Sequence, residues 1–127
     1  MPNEISVNGN KKLKTLYKEF NKSFPYICLR VFPLSEKVKS YQVPHDPEKK
    51  ISEVRTKTNP GDISIHGRTH AGNLEENFEK IFGLYAQVGY KDPNGKNYYT
   101  SGASDKRSLS QLSKNGEKEG WKKKGWS

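Results

Sequence analysis

The chain has a single cysteine, Cys28, and no uninterrupted apolar run long enough to cross a bilayer. One cysteine excludes an intrachain disulfide and a cysteine-based zinc site. Cys28 lies in the apolar stretch "YICLRVF", which suits a buried thiol better than a nucleophile. The opening residues "MPNEISVNGNKK" lack the apolar core of a secretory signal. The expectation is a soluble cytoplasmic protein without a membrane span, of a bacterial or phage kind. No Ser/His/Asp set, phosphate-binding loop or dinucleotide fingerprint is visible, so neither catalytic residues nor cofactors are assigned.

Apolar and acidic residues are both scarce. Hydrophobic residues make up 31% of the 127 positions, which suits one compact domain, or two very small ones, with polar ends. Asp and Glu number 14 against 23 Lys and Arg, a formal charge of +9. Such an excess favours polyanionic partners: DNA, RNA or an acidic protein.

An internal echo organises the sequence. "ISVNGNKKLKTLYKEFNKSF" at 5–24 aligns without a gap to "ISIHGRTHAGNLEENFEKIF" at 63–82. Ile5, Ser6, Gly9, Leu16, Phe20, Lys22 and Phe24 recur as Ile63, Ser64, Gly67, Leu74, Phe78, Lys80 and Phe82, and Val7 answers Ile65. The offset of 58 returns at 49–56 and 107–114, where Ile51 and Val54 answer Leu109 and Leu112. Between these blocks a shift of one residue pairs Ile27, Leu29 and Val31 with Leu84, Ala86 and Val88. This predicts a duplicated unit. Each unit reads as a short alternating strand, a glycine turn, an amphipathic helix, two strands and a last helical turn. Pro25 and Gly83 end the two helices at equivalent points. "DPNG" at 92–95 predicts a hairpin between "LYAQVGY" and "KNYYTSG", and "KVKSYQV" is the corresponding second strand in the first unit. The fold expected is α+β: two pseudo-symmetric β-α-β-β repeats at 1–60 and 61–115, each with an antiparallel hairpin and one amphipathic helix. Residues 116–127 form a flexible Gly/Lys/Trp tail.

Two outlines carry a resemblance to known proteins. The order strand, helix, hairpin, then an apolar turn before a further strand, as in "KKISEV…GDISI", resembles ubiquitin-type β-grasp domains. The repeated L-x-x-x-F-x-x-x-F helix resembles that of small uncharacterised bacterial proteins, and implies no activity.

His66 and His70 are four residues apart, a spacing that on one helix face suits a metal. Their counterparts under the offset are Asn8 and Lys12, so the same element is built without them, and His66 precedes a turn glycine. They are read as scaffold, as is His45 in "VPHDPEKK", and no metal site is assigned.

Charge separates the halves. Residues 5–57 hold 12 basic and 5 acidic residues, a net of +7, whereas 63–115 hold 7 and 5, a net of +2. Lys11, Lys14, Lys18 and Lys22 recur at helical steps beside the apolar face, where the second helix carries Glu75, Glu76 and Glu79. Arg30, Lys49, Lys50 and Arg55 are candidate outer members of this cationic face. The tail "GEKEGWKKKGWS" places Trp121 and Trp126 among lysines, where they suit base stacking or packing on a sheet edge. The function expected is noncatalytic binding, with nucleic acid as leading partner through the lysine ridge. A protein-interaction or adaptor module is the alternative.

"GLYAQVGYKDPNGKNYYTSGASDKR" also resembles the start of GIY-YIG nucleases. The resemblance implies roles for Gly83, Tyr85, Tyr99 and Arg107, with Glu117 or Glu119 as metal ligand. The second half of the motif departs from it, reading "YYTSG" instead of Tyr-Ile-Gly, and only 20 residues follow Arg107. The nuclease reading therefore ranks behind binding.

Overall fold

The computed structural model describes residues 4–38, 43–57, 62–100 and 106–123. Its architecture is α+β, with four α-helices and two small antiparallel sheets. Strand β1 (Ile5–Val7) pairs with β3 (Ile63–Ile65), placing Ser6 opposite Ser64. Strand β2 (Cys28–Pro33) pairs with β4 (Leu84–Lys91), which pairs in turn with β5 (Asn97–Tyr99). Ladders β1–β3 and β2–β4 thus join the first half of the chain to the second.

Helix α1 (Leu13–Ser23) buries Leu13, Leu16, Tyr17 and Phe20, spaced so that one stripe faces the core. Its counterpart α3 (Ala71–Asn77) continues as a π-helical turn, Phe78–Phe82, and closes on Gly83 in the left-handed conformation. A Cβ at Gly83 would also lie 2.0 Å from the Thr56 hydroxyl, so both backbone and space demand glycine. Phe20 and Phe78 are fully buried and each meets a second phenylalanine, Phe24 at 5.2 Å and Phe82 at 5.7 Å between centroids. One hydrophobic cluster collects these residues with Val7, Ile65, Leu29, Val31, Ala86, Val88, Ile51 and Leu109, drawing on both halves.

Several backbone hydrogen bonds come in pairs 58 residues apart. Leu13 N–H donates to Lys49 O (2.9 Å) and Ala71 N–H to Arg107 O (3.2 Å). Ile51 N–H donates to Lys11 O (3.1 Å) and Leu109 N–H to Thr69 O (2.8 Å). Ser52 N–H donates to Gly9 O (2.9 Å) and Ser110 N–H to Gly67 O (3.0 Å). Each set clips the entrance of a long helix, α1 or α3, to the start of a later one, α2 (Ile51–Val54) or α4 (Leu109–Glu119). Gly67 permits this contact in the second half, because a Cβ there would lie 2.2 Å from Ser110 Oγ, whereas at Gly9 a Cβ would meet nothing closer than 3.5 Å.

The halves diverge at three places. Among the described residues the hairpin forms only in the second, where the Asp92 carboxylate accepts from the Asn94 and Lys96 amides and Gly95 takes a positive φ. In the first half Lys37 and Val38 belong to a 3-10 turn, Leu34–Val38, and not to the expected strand; residues 39–42 lie outside those described. The cause is at the β2 edge, where Val31 already has both backbone groups engaged. Its N–H donates to the Tyr17 hydroxyl (3.0 Å) and its carbonyl accepts from His45 N–H (3.0 Å). Helix α4 is the third departure. A Ser108–Gln111 capping box starts it, and it runs through residues 116–119, assigned from sequence to the tail, before stopping at Gly120. Trp121 then turns back and stacks on Tyr90, 3.8 Å between centroids with planes 13° apart.

Candidate nucleic-acid interface

Helix α1 turns its apolar stripe inward, so Lys14, Lys18 and Lys22 project on the opposite side and are exposed. They form one wall of a groove of ≈ 670 Å³. Tyr17, Asn21 and Pro25 continue that wall, and Arg30, Pro47 and Lys123 complete the lining. Five cations thus converge from three parts of the chain: α1, β2 and the segment after α4. Among the described residues, no carboxylate lines the groove.

The floor is organised by Tyr17. Burial raises its pKa, while the bonded Val31 amide and nearby Arg30 work in the other direction. The Arg30 guanidinium lies 5.8 Å from the Tyr17 ring centroid, a cation–π arrangement that holds the cation along the groove. Tyr99, on the same sheet, has its pKa raised by burial, with Arg30 again opposing the rise. At the far end Lys123 sits 5.9 Å over the Tyr26 ring. Lys14 reaches Glu48 at 3.0 Å, but both side chains are solvated, so the pair holds the lysine weakly.

The sequence candidates divide. Lys14, Lys18, Lys22 and Arg30 are brought together. Lys11 is directed elsewhere: its ammonium donates to Ser6 O and to Glu19, and its side chain is only 15% exposed. Arg55 is committed to the scaffold, donating to Lys57 O (2.6 Å) and Ile81 O (3.2 Å) and lying 4.7 Å over the Phe82 ring. Lys49 and Lys50 are exposed in the turn before α2 and outside the groove lining. Sequence reasoning missed Tyr17, Asn21, Pro25, Pro47 and Lys123 as groove residues. Only Lys123 had a signal, the basic run around Trp121.

The remaining candidates are also placed. His66 follows β3 in a turn and His70 is the residue before α3, so the two do not share a helix face. Among the described residues, no group of three or more His, Cys, Asp or Glu is placed to hold a metal, and no helix is long and apolar enough to cross a membrane. Tyr85 and Tyr99 both meet the Phe32 ring, at 5.6 and 6.0 Å. Arg107 is exposed just before α4, and its carbonyl accepts from Ala71 N–H. Glu117 accepts from the Tyr26 hydroxyl at 3.3 Å. Trp126 lies outside the described residues. Comparison with protein-family models, with curated proteins and with solved structures returns no match to this chain.

Proposed function

We propose that the protein is a noncatalytic nucleic-acid-binding module whose phosphate contacts come from the groove of Lys14, Lys18, Lys22, Arg30 and Lys123. The observation that carries this reading is convergence: five cations line one groove with no described carboxylate in its lining, and the one ion pair shown at these cations, Lys14 with Glu48, is solvated. A surface built only for solubility intersperses signs. Long ammonium side chains around a largely apolar trough instead suit a phosphodiester backbone.

The chain is also, on this reading, a tandem duplication with pseudo-twofold symmetry. The paired hydrogen bonds support it, as do the registers: Ile5 faces Ile65 and Val7 faces Ile63 about a centre at Ser6 and Ser64. In the β2–β4 ladder Arg30 likewise faces Gln87, its counterpart under the one-residue shift. Duplication supplies an internal control. At the positions of Lys14, Lys18 and Arg30 the second half has Gly72, Glu76 and Gln87, and Glu75 replaces Tyr17. Glu75 nevertheless accepts from the Val88 amide at 3.4 Å, much as Tyr17 does from Val31. The scaffold contact persists while three of the four first-half cations are replaced, Lys22 alone recurring as Lys80, so the fold itself does not require those three.

Fluorescence anisotropy with a labelled oligonucleotide tests the assignment. Each phosphate neutralised contributes about −0.7 to the slope of log affinity against log salt for single strands. Five contacts predict about a 100-fold loss between about 50 and 200 mM salt. Lys18→Gln with Lys22→Gln should lower the slope by about 1.4. An oligonucleotide that fails to bind at low salt, or a slope unaffected by the double substitution, rejects the groove.

A further inference from the structure

Beside the groove lies a stack of aromatic rings that nothing above uses. Trp121 stacks on one side of Tyr90, and Tyr98 lies 5.5 Å from Tyr90 with planes 23° apart. Tyr90 and Tyr98 are cross-strand partners in the β4–β5 hairpin. Tyr98 ends the stack and is 40% exposed, one of two large hydrophobic side chains so exposed among the described residues. Packing of the core does not explain it, since Tyr98 is outside the hydrophobic cluster.

The stack is tied to the groove. Trp121 and Tyr26 both crowd Gly116, where a Cβ would lie 2.5 and 2.7 Å from them. Lys123, two residues beyond Trp121, crosses Tyr26 and enters the groove lining. The surroundings of the stack are cationic too. Lys122 N–H donates to Lys91 O (2.9 Å), and Lys96 is exposed in the hairpin turn. The Asp92 carboxylate, which acts on Tyr90, accepts from the turn amides of Asn94 and Lys96.

We infer that the ligand is single-stranded nucleic acid, with an unpaired base stacked on the open side of Tyr98 and the adjoining phosphates carried toward the groove past Lys123. This rests on the groove reading and narrows its substrate class. A partly exposed ring stacked on its neighbour accepts any base with an exposed π-face, and a duplex offers none along its length. Recognition is therefore tolerant of sequence and selective for strand state.

Anisotropy of a labelled oligothymidylate of about 12 nucleotides, a length within the usual range of single-strand sites, measures the contribution. Tyr98→Ala should weaken binding about tenfold and Tyr98→Phe should leave it unchanged. Inorganic polyphosphate, which has charge but no bases, should bind wild type and Tyr98→Ala alike. In wild-type protein, NMR should show upfield shifts of the Tyr98 ring protons on adding the oligonucleotide and none on adding polyphosphate. If Tyr98→Ala binds the oligonucleotide as wild type does, or the ring protons do not move, the stacking inference is overturned while the groove stands. If neither polyanion binds at low salt, both fall.

Discussion

Gly116 shows how one absent side chain sets the course of the C-terminal segment. Glycine inside a helix costs about 0.5–1 kcal/mol relative to alanine, so α4 keeps it against its own propensity. The gain is close approach: Trp121 reaches Tyr90 only by crossing the space a Cβ would fill. Gly116→Ala should therefore destabilise the protein by about 1–3 kcal/mol through overpacking, despite the better helix former. In a Trp126→Phe background, so that only Trp121 reports, its emission should shift to the red. Unchanged emission would show that the ring does not depend on this gap. His45 gives a second single-residue test. Burial lowers its pKa, and its Nε2 is buried without a hydrogen-bond partner among the described residues. The unfolded chain therefore takes up a proton at His45 more readily than the folded chain, from about pH 6.5 downward. Stability falls with pH from there until the folded pKa is passed, and levels off below it. His45→Gln should flatten this part of the melting-temperature profile between about pH 7 and 5.

At the scale of elements, the long helices were legible from sequence because their information is local. Leu13, Leu16, Tyr17 and Phe20 write a buried stripe over about two turns, and Leu74 and Phe78 continue one from α3 into the π-helical turn. The "DPNG" turn was legible for the same reason, since the Asp92 carboxylate and the positive φ of Gly95 act within four residues. The 3-10 turn at Leu34–Val38, where a second strand is expected to begin, was not legible because the deciding fact is remote: Tyr17 and His45 occupy the Val31 edge that such a strand would need. The lysine ridge was half legible. Periodicity brings Lys14, Lys18 and Lys22 to one side of α1, but only tertiary structure shows Lys11 turned to Glu19 and Lys123 arriving from the other end of the chain. The like burial of Phe20 and Phe78 makes a quantitative prediction. Phe20→Ala and Phe78→Ala each remove a fully buried ring that packs on a second phenylalanine. Each should cost about 3–5 kcal/mol by chemical denaturation, with the two values within about 1 kcal/mol of each other. A much smaller loss in one half would show that the core leans on a single copy.

At the scale of the whole molecule, the decisive property is how the strands are shared. Within the first half no two described strands pair with each other, because β1 finds its partner in β3 and β2 in β4. The buried faces follow the same rule, since a single cluster holds Leu29 and Val31 against Ala86 and Val88. Residues 1–60 by themselves would leave one long helix beside two unpaired strands, too little buried surface to offset the entropy of ordering them. Cleavage between residues 60 and 61 should therefore yield two pieces that are each unfolded by far-UV circular dichroism. On mixing they should regain the native spectrum in a concentration-dependent way, because every lost ladder lies between the pieces and not within the first. The intact chain should unfold in one transition, with helix signal and Trp121 emission coincident. A piece that folds alone would mean that strand sharing is incidental to stability. The groove adds a functional consequence, since four of its five cations lie in the first piece and Lys123 in the second. Oligonucleotide binding with wild-type salt dependence should therefore return only when the pieces recombine.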